Sequence, residues 1–328
     1  MIVKFESDVK NILVISLTNL GDVILTTPVL SALREKFPNA FLAVVIGPKA
    51  EELFRGSRTI NEVIVYDKKR MTFFDRLQWV YGLRKRRFDL AVDLRNTLIP
   101  YLIGARQRTR FVIGKQPILM REKHLSRIKF LGGFSDSGNH QFDFFSEDDE
   151  RRLHLKLKLW SVKAGQELIL IVPGAGSYLK RWPVSRFGEV ARYFTSKGKQ
   201  VMIVGSQSER ALAEQIKTFT PIVNACGSLT LRELASLLPK AALVLSCDSA
   251  IMHLAYEQNA PVVAIFGPTD EKKYGRLSPN NRIVRRKLDC APCERAHCRF
   301  ERQACMEDIS SDEVIRNCEE LLSVSAPH

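Results

Sequence analysis

Short apolar runs, each followed by a segment with helical spacing of its apolar positions, recur along the whole chain. Runs of this length, bounded by turn residues, predict buried parallel strands. They cover residues 11–16, 41–46, 62–65, 88–94 and 110–113 in the first half, and residues 167–172, 200–204, 221–224, 243–247 and 261–266 in the second. Alternating strands and helices predict an α/β fold with parallel sheets and right-handed crossovers. The two series therefore predict two doubly wound, Rossmann-like domains.

A turn-rich, polar segment separates the two series. Residues 132–139 read Gly-Gly-Phe-Ser-Asp-Ser-Gly-Asn, and an acidic run follows at residues 147–150. Such clusters are typical of a boundary rather than of a strand or helix. A chain of 328 residues is expected to form two domains of ~150 residues each. We therefore place the domains at residues 1–150 and 151–328.

Local signals predict the first and the last helix beyond this boundary. The first covers residues 151–160, where charge and leucine alternate. The last helix covers residues 311–322, and Ser310 and Ser311 are its candidate caps.

The composition is that of an ordinary soluble globular protein, with 45% hydrophobic and 26% charged residues. No uninterrupted apolar run reaches the ~18 residues that a membrane span needs. The first ten residues lack the apolar core of a signal peptide. We therefore expect a soluble, cytoplasmic protein.

The charge of the chain is strongly positive and unevenly distributed. The formal net charge is +14, and residues 84–130 contain 13 Lys or Arg but only three acids, Asp89, Asp93 and Glu122. Such a cluster attracts polyanions, such as phosphorylated glycans or an anionic membrane surface. A solvated basic face without a dedicated partner explains the same pattern. No helix-turn-helix, zinc-finger or RNA-binding signature accompanies the cluster, so we expect no nucleic-acid partner.

Four of the seven cysteines lie close together in the sequence. Cys290, Cys293, Cys298 and Cys305 have the spacing C-x2-C-x4-C-x6-C. A disulfide framework is not expected in a cytoplasmic chain. The first gap suits zinc, but the whole set matches no common zinc finger. This segment has two interpretations: its thiolates bind a metal, or it is a reduced loop packed on the surface.

A carboxylate stands directly beyond the first predicted strand. The chain turns through Thr18, Asn19 and Gly21 and then enters a predicted amphipathic helix. Open α/β sheets bind ligands just beyond the carboxyl ends of their strands, which is where Asp22 lies. Asp22 is therefore a candidate general base that takes a proton from an attacking hydroxyl. The structural alternative is that its carboxylate neutralises a helix N-terminus.

A glycine-rich loop opens the second domain in the same way. Gly174 and Gly176 let backbone amides approach an anion closely, and Ser177 adds a hydroxyl. Lys180 and Arg181 follow within reach, and Ser185 is predicted to cap a helix that ends near residue 197. The spacing is not that of a Walker A loop. The structural alternative is a glycine-rich turn followed by solvated basic residues.

Two further loops follow strands of the second domain. Asp248 ends one predicted strand, Ser249 begins a helix, and His253 lies one turn into that helix. The N-terminus of this helix is a second candidate anion site. Thr269 belongs to the Gly-Pro-Thr-Asp loop after the next strand. Three loops with phosphate-binding groups predict a site for a nucleotide or nucleotide sugar. The structural alternative for His253 is a partly buried histidine whose hydrogen bonds are satisfied within the fold.

These motifs, taken in order, resemble glycosyltransferase family 9, the ADP-heptose:lipopolysaccharide heptosyltransferases. The resemblance rests on the Leu-Gly-Asp-Val turn within residues 11–28, the Gly-Ala-Gly-Ser and Lys-Arg-Trp-Pro sequences within residues 173–183, residues 248–253, and the Gly-Pro-Thr-Asp loop at residues 267–270. The cysteine-rich tail around Cys290-Ala-Pro-Cys is part of the same pattern. The resemblance covers nearly the whole chain. Each motif is weak alone, but the ordered set is specific.

The resemblance implies a GT-B fold, in which two Rossmann-like domains face each other across a cleft. It implies that residues 1–150 bind the acceptor and residues 151–328 bind the nucleotide sugar, with the last helix packing back on the first domain. The implied reaction is the inverting, metal-independent transfer of heptose from ADP-heptose to the lipopolysaccharide inner core.

Carried onto this chain, the resemblance makes Asp22 the general base. Lys180 would hold the donor phosphates. The implied donor site also contains Gly176, Ser177, Asp248, Ser249, His253 and Thr269. The basic residues 84–130 would meet the phosphates and carboxylates of a lipid-anchored acceptor. We expect a monomer without a cofactor, bound peripherally at the cytoplasmic face of the inner membrane.

Three other functions are compatible with parts of the pattern. The first is transfer of another sugar, or to another acceptor, by a member of the same family. The second is a nucleotide-sugar epimerase, which needs an acid and a base around the donor sugar, whereas the prominent acid here lies in the other domain. The third is a non-catalytic glycan- or membrane-binding protein with the same fold. The presence of Asp22, Lys180 and Asp248 together argues against the third.

Overall fold

The computed structural model of the protein describes residues 9–16, 19–111, 119–132 and 141–325. The chain divides into two compact units, Met1–Phe144 (unit 1) and Phe145–His328 (unit 2). Each unit contains a parallel sheet with helices between successive strands. This confirms the predicted fold class of two doubly wound α/β domains.

Unit 1 is built around its first strand. Its described strands are β1 (Asn11–Ile15), β2 (Phe41–Ile46), β3 (Glu62–Val65), β4 (Leu90–Asp93) and β5 (Gln107–Arg108). Its described helices are α1 (Leu20–Ile24), α2 (Thr27–Lys36), α3 (Glu51–Phe54), α4 (Phe73–Lys85), α5 (Ile99–Leu102) and α6 (Met120–Ser126), with 3-10 turns at Pro48–Ala50 and Lys129–Leu131. The strands pair in the order β3-β2-β1-β4-β5. The central position of β1 explains why its apolar side chains are fully buried.

The last strand predicted for unit 1 is displaced in the structure. Arg110 and Phe111 lie outside any strand, residues 112 and 113 lie outside the described residues, and β5 pairs with β4 instead. The hydroxyl of Thr109 accepts a hydrogen bond from the amide of Asp93 at 2.9 Å. This side-chain bond takes the place of a further backbone pairing, so the strand stops at Arg108.

The helix predicted after Gly21 is divided into α1 and α2. The hydroxyls of Thr26 and Thr27 donate to the carbonyls of Val23 and Ile24. Pro28 follows in the first turn of α2 and has no amide hydrogen to donate. These bonds satisfy the end of the first helix and begin the second.

Unit 2 has a larger sheet with the same winding. Its described strands are β6 (Leu168–Val172), β7 (Gln200–Ile203), β8 (Val223–Asn224), β9 (Leu243–Cys247), β10 (Val262–Phe266) and β11 (Asn281–Arg285). Its described helices are α7 (Glu147–Leu159), α8 (Val184–Ser196), α9 (Arg210–Lys217), α10 (Leu231–Leu237), α11 (Ala250–Glu257), α12 (Glu271–Tyr274), α13 (Ala304–Glu307) and α14 (Ser311–Ser325), with 3-10 turns at Tyr178–Lys180, Gln207–Glu209 and Leu238–Lys240. The strand order is β11-β10-β9-β6-β7-β8.

Two predictions about helix starts in unit 2 are corrected by the structure. The prediction that Ser185 caps a helix is wrong, because α8 begins at Val184 with Pro183 in the N-cap position. The carbonyl of Pro183 already accepts from the amide of Arg186 at 3.1 Å. Helix α7 begins at Glu147, earlier than predicted, because Ser146 and Asp149 form a reciprocal capping box.

The last helix belongs to the core of unit 2. Val314, Cys318 and Leu321 are fully buried in the same apolar cluster as Trp182. The hydroxyl of Ser310 accepts from the amide of Glu313 at 3.2 Å, which identifies Ser310 as the cap. The predicted packing of this helix on the first domain stays a prediction. Among the described helices, none is both long enough and apolar enough to cross a membrane.

A buried histidine should make the stability of this protein fall at acidic pH. His124 on α6 is 2% exposed, and burial, followed by the charges of Lys123 and Arg127, lowers its pKa from 6.5 to about 4. His124 therefore becomes protonated below about pH 6.5 in the unfolded chain, but only below about pH 4 in the folded chain. The free energy of unfolding should decrease by ~2 kcal/mol between about pH 7 and about pH 5.

Urea denaturation at a series of pH values measures this effect. His124→Gln should remove most of the decrease, while His154→Gln, at an exposed position of α7, should retain it. An equal pH dependence in the wild type and the His124→Gln variant would contradict the assignment.

Candidate functional site

The candidate site of unit 2 lies where the winding of the sheet reverses. Strands β6 and β9 are neighbours, and the chain continues from β6 to one side of the sheet and from β9 to the other. Val172 at the end of β6 pairs with Ser246 near the end of β9. The loops that follow these two strands therefore leave the sheet side by side. Ligands of open α/β sheets bind at such a reversal.

An ion pair joins these two loops. The ammonium of Lys180, after β6, lies 2.7 Å from Oδ2 of Asp248, after β9. The Asp248 side chain is only 5% exposed, whereas the Lys180 side chain is 30% exposed. An ammonium has three donors, and one of them bonds to Asp248. Lys180 is thus held in place by a buried carboxylate, while its side chain remains partly exposed.

His253 lies on the other side of the same carboxylate. Its Nε2 is 3.7 Å from Oδ1 of Asp248, and its ring is 6.5 Å from that of Tyr256 and 6.3 Å from that of Tyr274. The histidine is 5% exposed, and burial raises the pKa of the Tyr256 phenol. The structure therefore brings Lys180, Asp248 and His253 close together, and their role in donor binding stays a prediction. Tyr256 and Tyr274 gave no signal in the sequence beyond ordinary aromatic positions.

The N-terminus of α11 completes this part of the site. The hydroxyl of Ser249 accepts from the amide of Met252 at 3.2 Å and lies 3.0 Å from the hydroxyl of Ser246. Ser249 is therefore the N-cap of the helix, which begins at Ala250, one residue after the predicted start. The first amides and the dipole of such a helix favour a negative charge. Thr269 is 8% exposed in the loop after β10, one strand further along the sheet.

The two glycines of the β6 loop have different surroundings. A Cβ on Gly174 would overlap the carboxylate of Glu209, which accepts from the amide of Ser206 at 2.6 Å. A Cβ on Gly176 would meet nothing within 4 Å. The space beside Gly176 is therefore open, whereas the Glu209 carboxylate fills the space beside Gly174. Ser177 accepts from the amide of Leu179 at 3.3 Å and so shapes the same loop.

The two glycines should respond differently to alanine. Gly174→Ala should lower the free energy of unfolding by ~1–3 kcal/mol, because the Glu209 carboxylate must leave its hydrogen bonds or the loop must shift. Gly176→Ala places its methyl group in open space and should change stability little. Urea denaturation followed by circular dichroism measures both. Equal losses in the two variants would contradict this difference in packing.

The candidate site of unit 1 lies at the equivalent reversal between β1 and β4. Asp22 is half-buried in the first turn of α1, and the amide of the Asn19 side chain donates to its Oδ2 at 3.2 Å. Ser16, at the end of β1, bonds to the hydroxyl of Thr26 at 2.8 Å and so fixes α1 relative to the strand. Thr18, in the predicted turn, lies outside the described residues. Asp22 therefore lies just beyond the carboxyl end of β1, as expected, and its side chain is partly exposed to solvent.

A second acid at this edge is structural. Asp93 ends β4, is 2% exposed and accepts from the amide of Arg95 at 2.8 Å and from the hydroxyl of Thr97 at 2.8 Å. Its own carbonyl accepts from Arg127 at 3.0 Å. The Asp93 carboxylate therefore bonds to the loop that follows β4. From the sequence, only Asp22 is a candidate base, and the structure gives Asp93, the last residue of β4, a role within its own loop.

The cysteine-rich segment packs beside the loops of the unit 2 site. The carbonyl of Pro268 accepts from the amides of Cys293 and Glu294, and the side chain of Gln303 donates to the carbonyl of Leu179. A cavity of about 300 Å³ lies here and is lined by Cys290, Cys293, Cys298 and Cys305, among others. Burial raises the pKa of the Cys305 thiol, and all seven cysteines are free. Among the described residues, no three His, Cys, Asp or Glu side chains are arranged to hold a metal ion.

Comparison with known proteins identifies the family. The profile of glycosyltransferase family 9 (heptosyltransferase) matches residues 135–304, just over half of the chain. The lipooligosaccharide heptosyltransferase 2 of Campylobacter jejuni (strain 81116) is 28% identical over 330 residues, covering 94% of this chain and 98% of that protein.

Two solved structures have a similar fold. The family 9 glycosyl transferase of Veillonella parvula superposes with a TM-score of 0.82 at 23% identity, covering 98% of this chain and 99% of that one. The structure of Escherichia coli ADP-heptose lps heptosyltransferase II gives a TM-score of 0.74 at 23% identity, covering 95% and 98%. The family profile and the order of the motifs show that the chain is a glycosyltransferase, and its two doubly wound sheets have the GT-B fold of these structures. The chain belongs to glycosyltransferase family 9, the heptosyltransferase family.

Proposed function

We propose that this enzyme transfers heptose from ADP-heptose to the inner core of lipopolysaccharide, with inversion at the anomeric carbon and without a metal ion. The 28% identity to a lipooligosaccharide heptosyltransferase over nearly its whole length supports heptose as the sugar and a lipid-anchored glycan as the acceptor. The ADP moiety, the inversion and the independence from metal follow from the family resemblance of the motifs.

Unit 2 is proposed to bind the donor. Lys180 is the group proposed to bind the diphosphate, because its side chain is partly exposed and its ammonium is held by Asp248. Two further elements at this edge favour a negative charge: the amides at Gly176 and Ser177, and the N-terminus of α11 capped by Ser249. His253 and Thr269 are proposed to line the remainder of the donor pocket. These groups stabilise the negative charge that develops on the departing diphosphate.

Unit 1 is proposed to bind the acceptor and to supply the base. An acceptor hydroxyl attacks the anomeric carbon of the heptose, the bond from that carbon to the diphosphate oxygen breaks, and ADP leaves. The hydroxyl proton passes to the carboxylate of Asp22. The basic residues 84–130 are proposed to meet the phosphates and carboxylates of the acceptor. The enzyme then acts as a monomer at the cytoplasmic face of the inner membrane.

The observation that carries this proposal is the Lys180–Asp248 pair at the reversal of the unit 2 sheet. It fixes a partly exposed cation beside the N-terminus of a helix, at the place where doubly wound sheets bind nucleotides. A diphosphate needs such a combination of a side-chain cation and backbone amides.

A donor screen and a transfer assay test the proposal with the purified chain. ADP-heptose should raise the melting temperature more than UDP- or GDP-sugars, since a ligand that binds only the native state stabilises it. Transfer of one heptose to a truncated inner-core acceptor should appear as the corresponding mass increase, in the presence of EDTA as in its absence. Stabilisation by UDP-sugars instead would contradict the donor assignment. Tight ADP-heptose binding with no transfer to any truncated core would favour the non-catalytic alternative.

A further inference from the structure

Helix α4 of unit 1 presents large apolar side chains to solvent. Phe73 is 68% exposed and Phe74 is 78% exposed, and Leu77 and Tyr81 are more than half exposed. Isolated exposed apolar residues are ordinary, but a contiguous group on one element indicates a contact surface. A capping box between Thr72 and Asp75 fixes the start of the helix and therefore the direction of these side chains.

The exposed side chains share one face of the helix. Positions 73, 77, 81 and 84 repeat at intervals of three or four residues, and this spacing aligns them along the helix axis. The opposite face carries Trp79 and Leu83, which pack against the core of unit 1. Helix α4 thus has one apolar face that is used by the fold and a second that the fold leaves exposed.

Basic residues surround the exposed face. Residues 68–87 contain eight Lys or Arg and one acid, Asp75. Lys68, Lys69 and Arg70 precede the helix and are exposed, while Arg84 and Lys85 lie in its last turn. The ammonium of Lys85 lies 4.5 Å from the centre of the Tyr81 ring. The cations therefore lie at both ends of the apolar face.

The apolar surface continues onto the neighbouring helix α5. Leu98 is 64% exposed, and Tyr101 and Leu102 are also exposed. The guanidinium of Arg84 donates to the carbonyl of Leu102 at 3.4 Å, which joins the two helices. We call this surface, formed by the exposed residues of α4 and α5 with the flanking cations, the α4 face.

We propose that the α4 face binds the surface of an anionic lipid bilayer, with its aromatic side chains among the lipid headgroups. Interfacial helices combine an apolar face that carries Phe, Trp or Leu with Lys and Arg that attract anionic lipids. Aromatic rings favour the boundary between headgroups and acyl chains. The biological need for this contact rests on the proposed function, since a lipid-anchored acceptor lies at such a surface.

The positive charge of the α4 face favours an anionic bilayer over a second copy of the chain as its partner. Two α4 faces in contact would bring together the flanking cations of both copies, which are Lys68, Lys69, Arg70, Arg84 and Lys85 in each. Like charges in contact oppose association. Anionic headgroups neutralise the same cations instead, and their attraction weakens as salt is added.

Vesicle flotation of the full chain tests the proposal. The wild type should float with vesicles of phosphatidylethanolamine and phosphatidylglycerol but not with vesicles of phosphatidylcholine alone, and salt should reduce the bound fraction. The variant Phe73→Ser/Phe74→Ser/Leu77→Ser should bind the anionic vesicles at least ~10-fold more weakly. A second variant, Lys68→Glu/Lys69→Glu, should lose binding as well while leaving the apolar side chains in place.

The matched control lies on helix α7 of unit 2. Leu155 and Leu159 are 66% and 80% exposed, and Leu155→Ser/Leu159→Ser should bind vesicles like the wild type. Wild-type protein that does not bind anionic vesicles, or α4 variants that bind them unchanged, would overturn the proposal. A wild-type dimer that the serine variant converts to a monomer, with vesicle binding unchanged, would assign the face to a second copy and would also overturn it.

A soluble, lipid-free core oligosaccharide separates this inference from the proposed function. The serine variant should transfer heptose to this acceptor at the wild-type rate, because the substitution leaves both candidate sites unchanged. Absence of transfer by the wild type would count against the proposed function only. Failure of the wild type to prefer anionic vesicles over phosphatidylcholine vesicles would count only against the proposal that the α4 face binds lipid.

Discussion

Replacing Asp22 with asparagine should lower kcat by ~10²–10⁴-fold while leaving the affinity for ADP-heptose nearly unchanged. The substitution keeps the size of the side chain and an oxygen that accepts from Asn19, but it removes the group that can take a proton. The acceptor hydroxyl would then attack without deprotonation, which raises the barrier to the chemical step. The donor is proposed to bind unit 2, so its binding should survive.

The measurement pairs steady-state kinetics with titration of ADP-heptose by calorimetry. The control is Glu51→Gln, which removes a carboxylate that pairs with Arg55 on the surface of the same unit. This control should retain the wild-type kcat. A wild-type rate in Asp22→Asn would assign the carboxylate to the N-terminus of α1, which is its structural alternative.

Replacing Lys180 with methionine should have two separable effects. The donor should bind ~10–100-fold more weakly, because a charged hydrogen bond to the diphosphate is lost. The free energy of unfolding should also decrease by about 2 kcal/mol, since Asp248 is left as a buried carboxylate without its cation. This value is below that of a fully buried pair because the Lys180 side chain remains partly in contact with water.

A second substitution distinguishes the two effects. Lys180→Met/Asp248→Asn should recover most of the lost stability, because the buried group is then neutral, but it should not recover donor affinity. Thermal denaturation and donor titration of the two single variants and the double variant form the required cycle. The control is Lys199→Met, which breaks a surface ion pair with Glu167 and should change neither quantity much. Recovery of donor binding in the double variant would show that Lys180 does not contact the donor.

The buried strands were the most predictable part of the fold. The predicted ranges 41–46, 62–65 and 243–247 match β2, β3 and β9 residue for residue. These runs are apolar and bounded by turns, so the local pattern is sufficient. Strand β11 was missed because three of its five residues, Asn281, Arg282 and Arg285, are polar at the edge of the sheet.

Local chemistry also misled the interpretation at two positions. Ser185 is a good capping residue by type, but the carbonyl of Pro183 begins α8 before it. Gly174 has the composition of an anion-binding turn, yet the carboxylate of Glu209, in a different loop, fills the space beside it. The partner that decides the first position lies two residues away, and the one at the second lies in another loop; residue type alone indicates neither.

The sequence by itself determined the alternation of strands and helices, the family, and the residue types available at each strand end. These properties depend on the spacing of apolar residues and on short motifs, which are local. Only the tertiary structure decided that Lys180 and Asp248, 68 residues apart, form one ion pair. It also decided that Asp93 is buried and bonded to its own loop, whereas Asp22 is half-buried with a bond from Asn19. It decided as well that α4 turns four apolar side chains toward solvent. Contacts and exposure of this kind depend on which strands become neighbours, and strand order is a property of the whole sheet.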